Sequence, residues 1–527
     1  MKARFRMSVL AGIVLLLLFS CNQKQVVQQS ESLPRSTPEA EGVDSKGIIE
    51  FLKAVDNSGM EFHSVMLVRH GKVVAEGWWS PYSPTLKHTL YSLSKSFTST
   101  AVGFAVYEKK LNLTDKVISF FPELLPDTVS DNLREMEVKD LLTMSAGMDP
   151  DPTMTIPANY TNWVEAFLAT PVVNKPGSTF LYNSMATYML SAIVQQVTGE
   201  KIIDYLEPRL FNPLGIEGMD WEEDLRGINT GGWGLRLKTE DLAKFGQLYL
   251  QEGMWNEQQI LPSGWAEEAT SFKIDQAPGV PDSIKNKSDW MQGYGYQFWR
   301  CRNNAFRGDG AFGQYAIVLP DKDAVIAITC ETPDMQGEIN LVWEYLLQAL
   351  KDDPLPPDPE AEEQLSQLLS SLALPLPRPG MESPLGQSIE GRLYQFEEND
   401  KGIESVSVTF PEGNCQFEIT EKGKEYTFTL GSEGWIINRT DRPGPTLISP
   451  GKGYSPYLPP VEVAGMYRWR EQDNLELTLR YIESPHTEFM NFAFTGDSVT
   501  FSTRSSFMEF YGDLLPVAAV IKGKLAT

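Results

Sequence analysis

Apolar positions recur with two different periods along this chain, and the change from one to the other divides it. Over residues 48–55 they return every three or four positions, which predicts an amphipathic helix. Residues 64–74 predict a hairpin, with Val65, Leu67, Val73 and Val74 flanking His70-Gly71-Lys72. Helical spacing returns over 92–109, 138–144, 188–197 and 242–250, the last with Thr239 as its cap and Gly253 as its stop. Near residue 300 the pattern turns strand-like over 295–301, 314–319 and 324–330, with Pro320-Asp321-Lys322-Asp323 as a turn. A closing helix is expected over 337–350. Terminal helices around a helical middle and late hairpins predict an α/β domain of the α+β kind, an antiparallel sheet flanked by helices, over residues 39–350.

Beyond it the pattern changes. Over 351–385 the prolines at 354, 356, 357, 359, 375, 377 and 379 bracket an acidic helical stretch at 360–372, which reads as a semi-rigid linker. The period then becomes two: Leu475, Leu477, Leu479 and Tyr481, then Met490, Phe492, Phe494, Val499 and Phe501 across Thr495-Gly496-Asp497. A second domain, all antiparallel β, is expected over 386–527. Its aromatics Trp435, Tyr454, Tyr457 and Trp469 are assigned to a core rather than to a sugar or peptide platform. No fixed-period repeat points to a solenoid or propeller.

Composition narrows the function classes. The 527 residues carry 45 Lys and Arg against 70 Asp and Glu, a formal charge of −25, which argues against a nucleic-acid partner. With 42% hydrophobic and 22% charged residues, neither long disorder nor a polytopic membrane fold is expected. The N-terminus changes the picture more. Three cationic side chains precede an apolar run at 9–19, which has the layout of a secretion signal over residues 1–20. It ends at Leu18-Phe19-Ser20-Cys21, similar to the lipobox of bacterial lipoproteins, so Cys21 is expected to be lipidated and to become the mature N-terminus. Residues 21–38 then form a tether, and the protein faces the periplasm or cell exterior, anchored to the membrane of a bacterial envelope. Cys301, Cys330 and Cys415 allow one disulfide at most, with Cys301 and Cys330 as the expected pair.

Zinc-hydrolase, P-loop and nucleophile-elbow motifs are all missing from the sequence. What stands out is Tyr91-Ser92-Leu93-Ser94-Lys95. Ser92 and Lys95, three apart at the start of a helix, share one face. First-turn amides favour negative charge there, which suits a developing oxyanion. A serine hydroxyl needs a base within reach, and Lys95 is that base only if burial or nearby charge lowers its pKa. His63, His70, His88 and His486 have no ligand spacing and are read as structural; no metal or organic cofactor is expected.

An SxxK alone arises by chance, but further stretches follow in order: Asp140-Leu141-Leu142-Thr143-Met144-Ser145-Ala146-Gly147-Met148, Lys175-Pro176-Gly177-Ser178-Thr179-Phe180-Leu181-Tyr182-Asn183-Ser184, Gly231-Gly232-Trp233-Gly234-Leu235 and Gly308-Asp309-Gly310-Ala311-Phe312-Gly313-Gln314-Tyr315. Together they make residues 39–350 resemble the serine β-lactamase and penicillin-binding-protein superfamily, most of all its class C-like branch of esterases, D-aminopeptidases and 6-aminohexanoate-dimer hydrolases. The resemblance implies that Ser92 is the nucleophile, Lys95 its activating partner and Tyr182 the shuttle of a proton to the leaving group. It also implies that the N–H of Phe312 joins that of Ser92 as an oxyanion hole, at the end of the substrate-binding stretch Asp309, Gly310 and Ala311.

Two departures from the family pattern bear on substrate. Tyr182-Asn183-Ser184 places Ser184 where the usual YxN has its orienting Asn, so either Asn183 substitutes from one position earlier or Ser184 does the job with a shorter hydroxyl. Asp309-Gly310-Ala311 stands where a KTG or HxG brings a cation. Either Asp309 repels a carboxylate and favours neutral or amine-bearing substrates, or it is an ordinary turn residue; Arg307 would neutralise it or bind the anion itself. The expected function is an exported serine hydrolase cleaving a small ester, amide or peptide, with β-lactams disfavoured. The alternative is a catalytically impaired envelope binding protein that uses the cleft or the β domain.

Overall fold

The computed structural model describes residues 32–448, 458–511 and 520–526, so Cys21 and most of the expected tether, like Tyr454 and Tyr457, lie outside the described residues. Among the described residues two sheets dominate, one six-stranded and one ten-stranded. The six-stranded sheet is antiparallel throughout and runs Lys72–Trp78, Glu61–Arg69, Ala324–Glu331, Gln314–Leu319, Phe306–Gly310, Trp299–Arg300. Alternate residues of one strand serve two cores. Val65, Leu67, Ile326 and Ile328 pack with Ile48, Phe51 and Leu52 of the helix Ser45–Ser58 and with the closing helical segment. Met66, Val68, Val325 and Ala327 face the opposite way, against Phe97, Leu242, Phe245 and Leu248 of the helical layer. Helices cover both faces, which is why these strands are buried along nearly their whole length.

Most of the sequence-predicted elements are present, with local differences. The helix Thr239–Leu250 begins at Thr239 itself, and its cap is Lys238, whose N–H is held by Asp241. The closing helix is Met335–Leu341 continued through a π turn at Val342–Leu346 to Leu347–Ala349. The strand expected over 295–301 shrinks to Trp299–Arg300 because Gln297 has a positive φ of 66° and its side chain bonds the carbonyls of Leu141 and Leu142 at 3.1 and 2.8 Å. Cys301 and Cys330 are free thiols, contrary to the expected pairing. The strand that Cys301 directly follows and the strand that holds Cys330 stand three places apart in the sheet, about 14 Å at the usual strand spacing, twice the reach of a disulfide.

The proline-rich stretch, read as a semi-rigid linker, packs against the first domain. Its helix Pro359–Ser370 buries Ala361 and Leu365, Leu369 and Leu372 lie against Gly77, and Leu374 N–H bonds Ser80 O at 2.9 Å. Beyond it, strands from Tyr394–Phe396 to Ile521–Leu525 form the antiparallel β domain that the period-two pattern predicts. Leu475, Leu477, Leu479, Met490, Phe492, Phe494, Val499 and Phe501 share its core with Trp469. The edge strands Lys424–Leu430 and Ile436–Thr440 meet, with Asn438 bonding both the N–H and the carbonyl of Thr429, and the sheet closes like a barrel.

The barrel is seated on the first domain. The strand Asn474–Tyr481 is buried on both faces. Arg480 on its outer face pairs with Glu61, Ala464 and Ile482 join the core between the first domain's sheet and the helix Ser45–Ser58, and Glu483 O accepts from Thr89 N–H at 3.0 Å. No helix among the described residues is long and apolar enough to cross a membrane.

Candidate active site

Ser92 lies on the 3-10 turn Tyr91–Leu93, which runs directly into the helix Ser94–Tyr107. That helix is buried on nearly every side, from Ser94 through Ala105. Lys95 is fully buried, and its Nζ sits 3.0 Å from Ser92 Oγ, 2.9 Å from Ser184 Oγ and 2.6 Å from the carbonyl of Gly232. Burial pushes the Lys95 ammonium down to about 7, against weaker opposing pulls from Asp151 and Asp309. An amine that is neutral has two N–H groups and one lone pair. With Ser184 and Gly232 accepting the two protons, the lone pair is left for the hydroxyl of Ser92.

Tyr182 completes the group. Its ring lies 4.8 Å from Lys95 Nζ and stacks on Trp299 at 5.6 Å, and its hydroxyl interacts with Ser92. Burial pushes the phenol well above its ordinary value, so it is a proton donor at neutral pH. Of the two residues that follow, Ser184 is the one beside Lys95. Asn183 turns away: its Oδ1 caps the helix Ser184–Thr198 by accepting from Ala186 N–H at 3.1 Å, and its Nδ2 points at Met148 Sδ. Ser184 is fixed in turn, its N–H bonding Thr153 Oγ1 at 3.0 Å while Thr153 donates to Asp151 at 2.7 Å.

The opposite wall is the strand Phe306–Gly310. A Cβ on Gly310 would lie 2.1 Å from the carbonyl of Leu90, so glycine is what lets the strand pass this close to the turn that holds Ser92. Asp309 is inside this strand, paired opposite Tyr315, and the turn reading is therefore corrected: the glycines on either side are there for close approach. Nor does Asp309 stand alone. Arg307 Nε bonds its Oδ2 at 2.8 Å, and the guanidinium also reaches Asp289 O at 2.8 Å and Cys301 Sγ at 3.0 Å, with the Trp290 ring 4.4 Å away. Burial raises the Asp309 carboxyl and Arg307 opposes this. Past the strand, Ala311 O is held by Gln314 at 3.0 Å and Phe312 takes a left-handed φ of 67°.

Sequence reasoning gave no role to Gly232, whose carbonyl holds Lys95; the Gly231-Gly232 pair was the available signal, since a Cβ at 232 would lie 2.7 Å from Ser184 O. Asp151 and Thr153 carried no signal. Among the described residues no group of three or more His, Cys, Asp or Glu is placed to hold a metal ion. His63 and His88 bond each other at 3.0 Å in the buried region near Arg480, and His70 pairs with Glu41.

Known proteins resemble much of this chain. The 6-aminohexanoate-dimer hydrolase of Paenarthrobacter ureafaciens is 25% identical over 293 residues, 51% of this chain and 72% of that protein. Protein flp of Staphylococcus aureus strain MW2 is 29% identical over 167 residues, 29% of this chain and 33% of its own length. A solved Bacillus anthracis structure with the provisional name 6-aminohexanoate-dimer hydrolase shares the fold, with a TM-score of 0.52 and 21% identity over 62% of this chain and 90% of its own. The family model described as Beta-lactamase matches residues 53–351, which holds Ser92, Lys95, Tyr182 and Asp309 and stops short of the barrel. Matched over more than half its length, the chain belongs to the Beta-lactamase family.

Proposed function

We propose that the chain is a serine hydrolase that cleaves an ester or amide of a small substrate through an acyl-enzyme on Ser92. The observation that carries this reading is the position of Lys95 Nζ, 3.0 Å from Ser92 Oγ with its other two neighbours both acceptors. Neutral Lys95 takes the proton of Ser92 as Oγ attacks the carbonyl carbon. The oxygen of the tetrahedral intermediate is received by the N–H groups of Ser92 and Phe312. On collapse Tyr182 gives its proton to the departing alcohol or amine and regains one from Lys95. Water then repeats the sequence in reverse, releasing the acid and restoring Ser92. A role in binding alone would not call for a buried amine held this far below its ordinary basicity.

The relative named for hydrolysis of 6-aminohexanoate dimer supports an amide or ester as substrate. The Arg307–Asp309 pair supports substrates without a carboxylate at that edge, because the cation there is already matched. We also propose that the protein is lipid-anchored at Cys21 and exported to the bacterial envelope; the basic start, the apolar run at 9–19 and Ser20-Cys21 support it. Ser92→Ala tests the chemistry. It should abolish hydrolysis of p-nitrophenyl butyrate and labelling by a fluorophosphonate probe while leaving the melting temperature nearly unchanged. Hydrolysis that survives the substitution refutes the acyl-enzyme.

A further inference from the structure

Two residues beside the reaction centre have backbones that side chains rarely adopt. Tyr91, immediately before the nucleophile, has φ 46°, and Phe312, at the proposed oxyanion hole, has φ 67°. Non-glycine residues persist in this region only where their surroundings over-determine them. The surroundings come from the barrel. His486, fully buried in the loop between the strands Asn474–Tyr481 and Thr487–Thr495, brings its Nε2 to 2.5 Å from the Tyr91 hydroxyl. Its Nδ1 is 2.6 Å from Glu331 Oε1, which also accepts from Ser506 Oγ at 2.7 Å. With the Glu331 carboxylate accepting the Nδ1 proton, Nε2 is the acceptor for Tyr91 O–H. The same imidazole stands edge-on to Phe312 at 4.8 Å, and Phe507, also from the barrel, packs on His486 at 4.5 Å and on Phe312 at 5.8 Å. Tyr91 and Phe312 touch each other at 5.5 Å.

We propose that His486, carried by the C-terminal barrel, is a positioning residue for the hydrolytic reaction. It fixes Tyr91 by a hydrogen bond and Phe312 by ring contact, and so holds the nucleophile turn and the oxyanion strand in register. The barrel is then a working part of the active site, 394 residues from Ser92 in sequence (486 less 92). Glu331, the last residue of its strand in the hydrolase sheet, sets the imidazole's orientation. The proposal rests on the reading of Ser92 as nucleophile.

The test uses the full-length protein with His486→Ala, His486→Gln, Tyr91→Phe and the double variant His486→Ala/Tyr91→Phe. Steady-state hydrolysis of p-nitrophenyl butyrate, the rate of fluorophosphonate labelling and the melting temperature are measured for each. Misplacement at this range predicts a loss in kcat of about tenfold to a hundredfold for His486→Ala, with KM changed by less than about twofold. Glutamine, able both to donate to Glu331 and to accept from Tyr91, should recover part of it. The double variant should be no worse than the poorer single, since both remove one link. Wild-type kcat in a folded His486→Ala overturns the proposal, as do losses that multiply in the double variant. If His486→Ala does not fold, Tyr91→Phe decides alone, and unchanged kcat there is equally fatal. Ser92→Ala runs beside them: retained activity there overturns the acyl-enzyme itself, whereas a dead Ser92→Ala with an undiminished His486→Ala overturns only the positioning role.

Discussion

Replacing Lys95 by methionine should make the protein inactive and, at neutral pH, more stable. A lysine held at about 7 in the folded state and at 10.5 when free binds fewer protons folded than unfolded between those two values. Stability therefore rises with pH across that window, and below it the folded state bears the whole cost of burying the ammonium. At pH 7 the cost is about 4 kcal/mol, and by pH 10 it has fallen to about 1 kcal/mol. Methionine removes it but also removes the hydrogen bonds to Ser184 and Gly232, about 1 kcal/mol each. The variant should thus exceed wild type by about 2 kcal/mol at pH 7 and fall below it at pH 10. Urea unfolding of both proteins at pH 7, 8, 9 and 10 measures the difference, and its slope does not depend on the hydrogen-bond figures. A stability difference that stays constant over this range would show that Lys95 is not depressed, and the base assigned to Ser92 would be lost with it.

For the wild type, kcat/KM on an uncharged ester should rise about tenfold per pH unit below pH 7 and level off above it, as Lys95 loses its proton; a profile flat from pH 5 to 8 contradicts this. Asp309→Asn leaves Arg307 buried without its carboxylate and should destabilise by about 3 kcal/mol in thermal or urea unfolding. The folded fraction should gain on carboxylate-bearing esters relative to neutral ones, and equal ratios in both proteins would show that the pair does not face substrate. Cys21→Ala should move the protein from the membrane fraction to a soluble exported pool; variant protein still sedimenting with membranes in high salt would point to another attachment.

What the sequence reveals follows the range of the interactions involved. Ser92 and Lys95 were legible because the 3-10 turn and the first turn of the helix that continues it fix their geometry over three residues. Ser184 and Asn183 were not separable, since which one reaches Lys95 depends on Asn183 being used as a helix cap. Gly308-Asp309-Gly310 has the composition of a turn and the structure of a strand; the glycines answer to Leu90 and Leu93, more than 200 positions earlier. The period of two disclosed the strands of the second domain, but not that its edges meet through Asn438 and Thr429. His486 gave no local sign at all. Its partners are Tyr91 and Glu331, on two other elements of another domain.

The strand Glu61–Arg69 illustrates what such closure asks of biosynthesis. Ser64 meets its sheet partner Thr329 across 265 positions, and Glu61 meets Arg480 across 419. At typical elongation rates the ribosome needs roughly 15 to 50 s to deliver the first of these partners. Until then this apolar strand has only its hairpin neighbour, Lys72–Trp78, and its other edge is an open template for pairing with any passing chain. Non-local pairing of this kind is slow to form even in a complete chain. A nascent chain halted short of residue 324 keeps that edge uncovered, so truncation products should depend on chaperones in a way the finished protein does not.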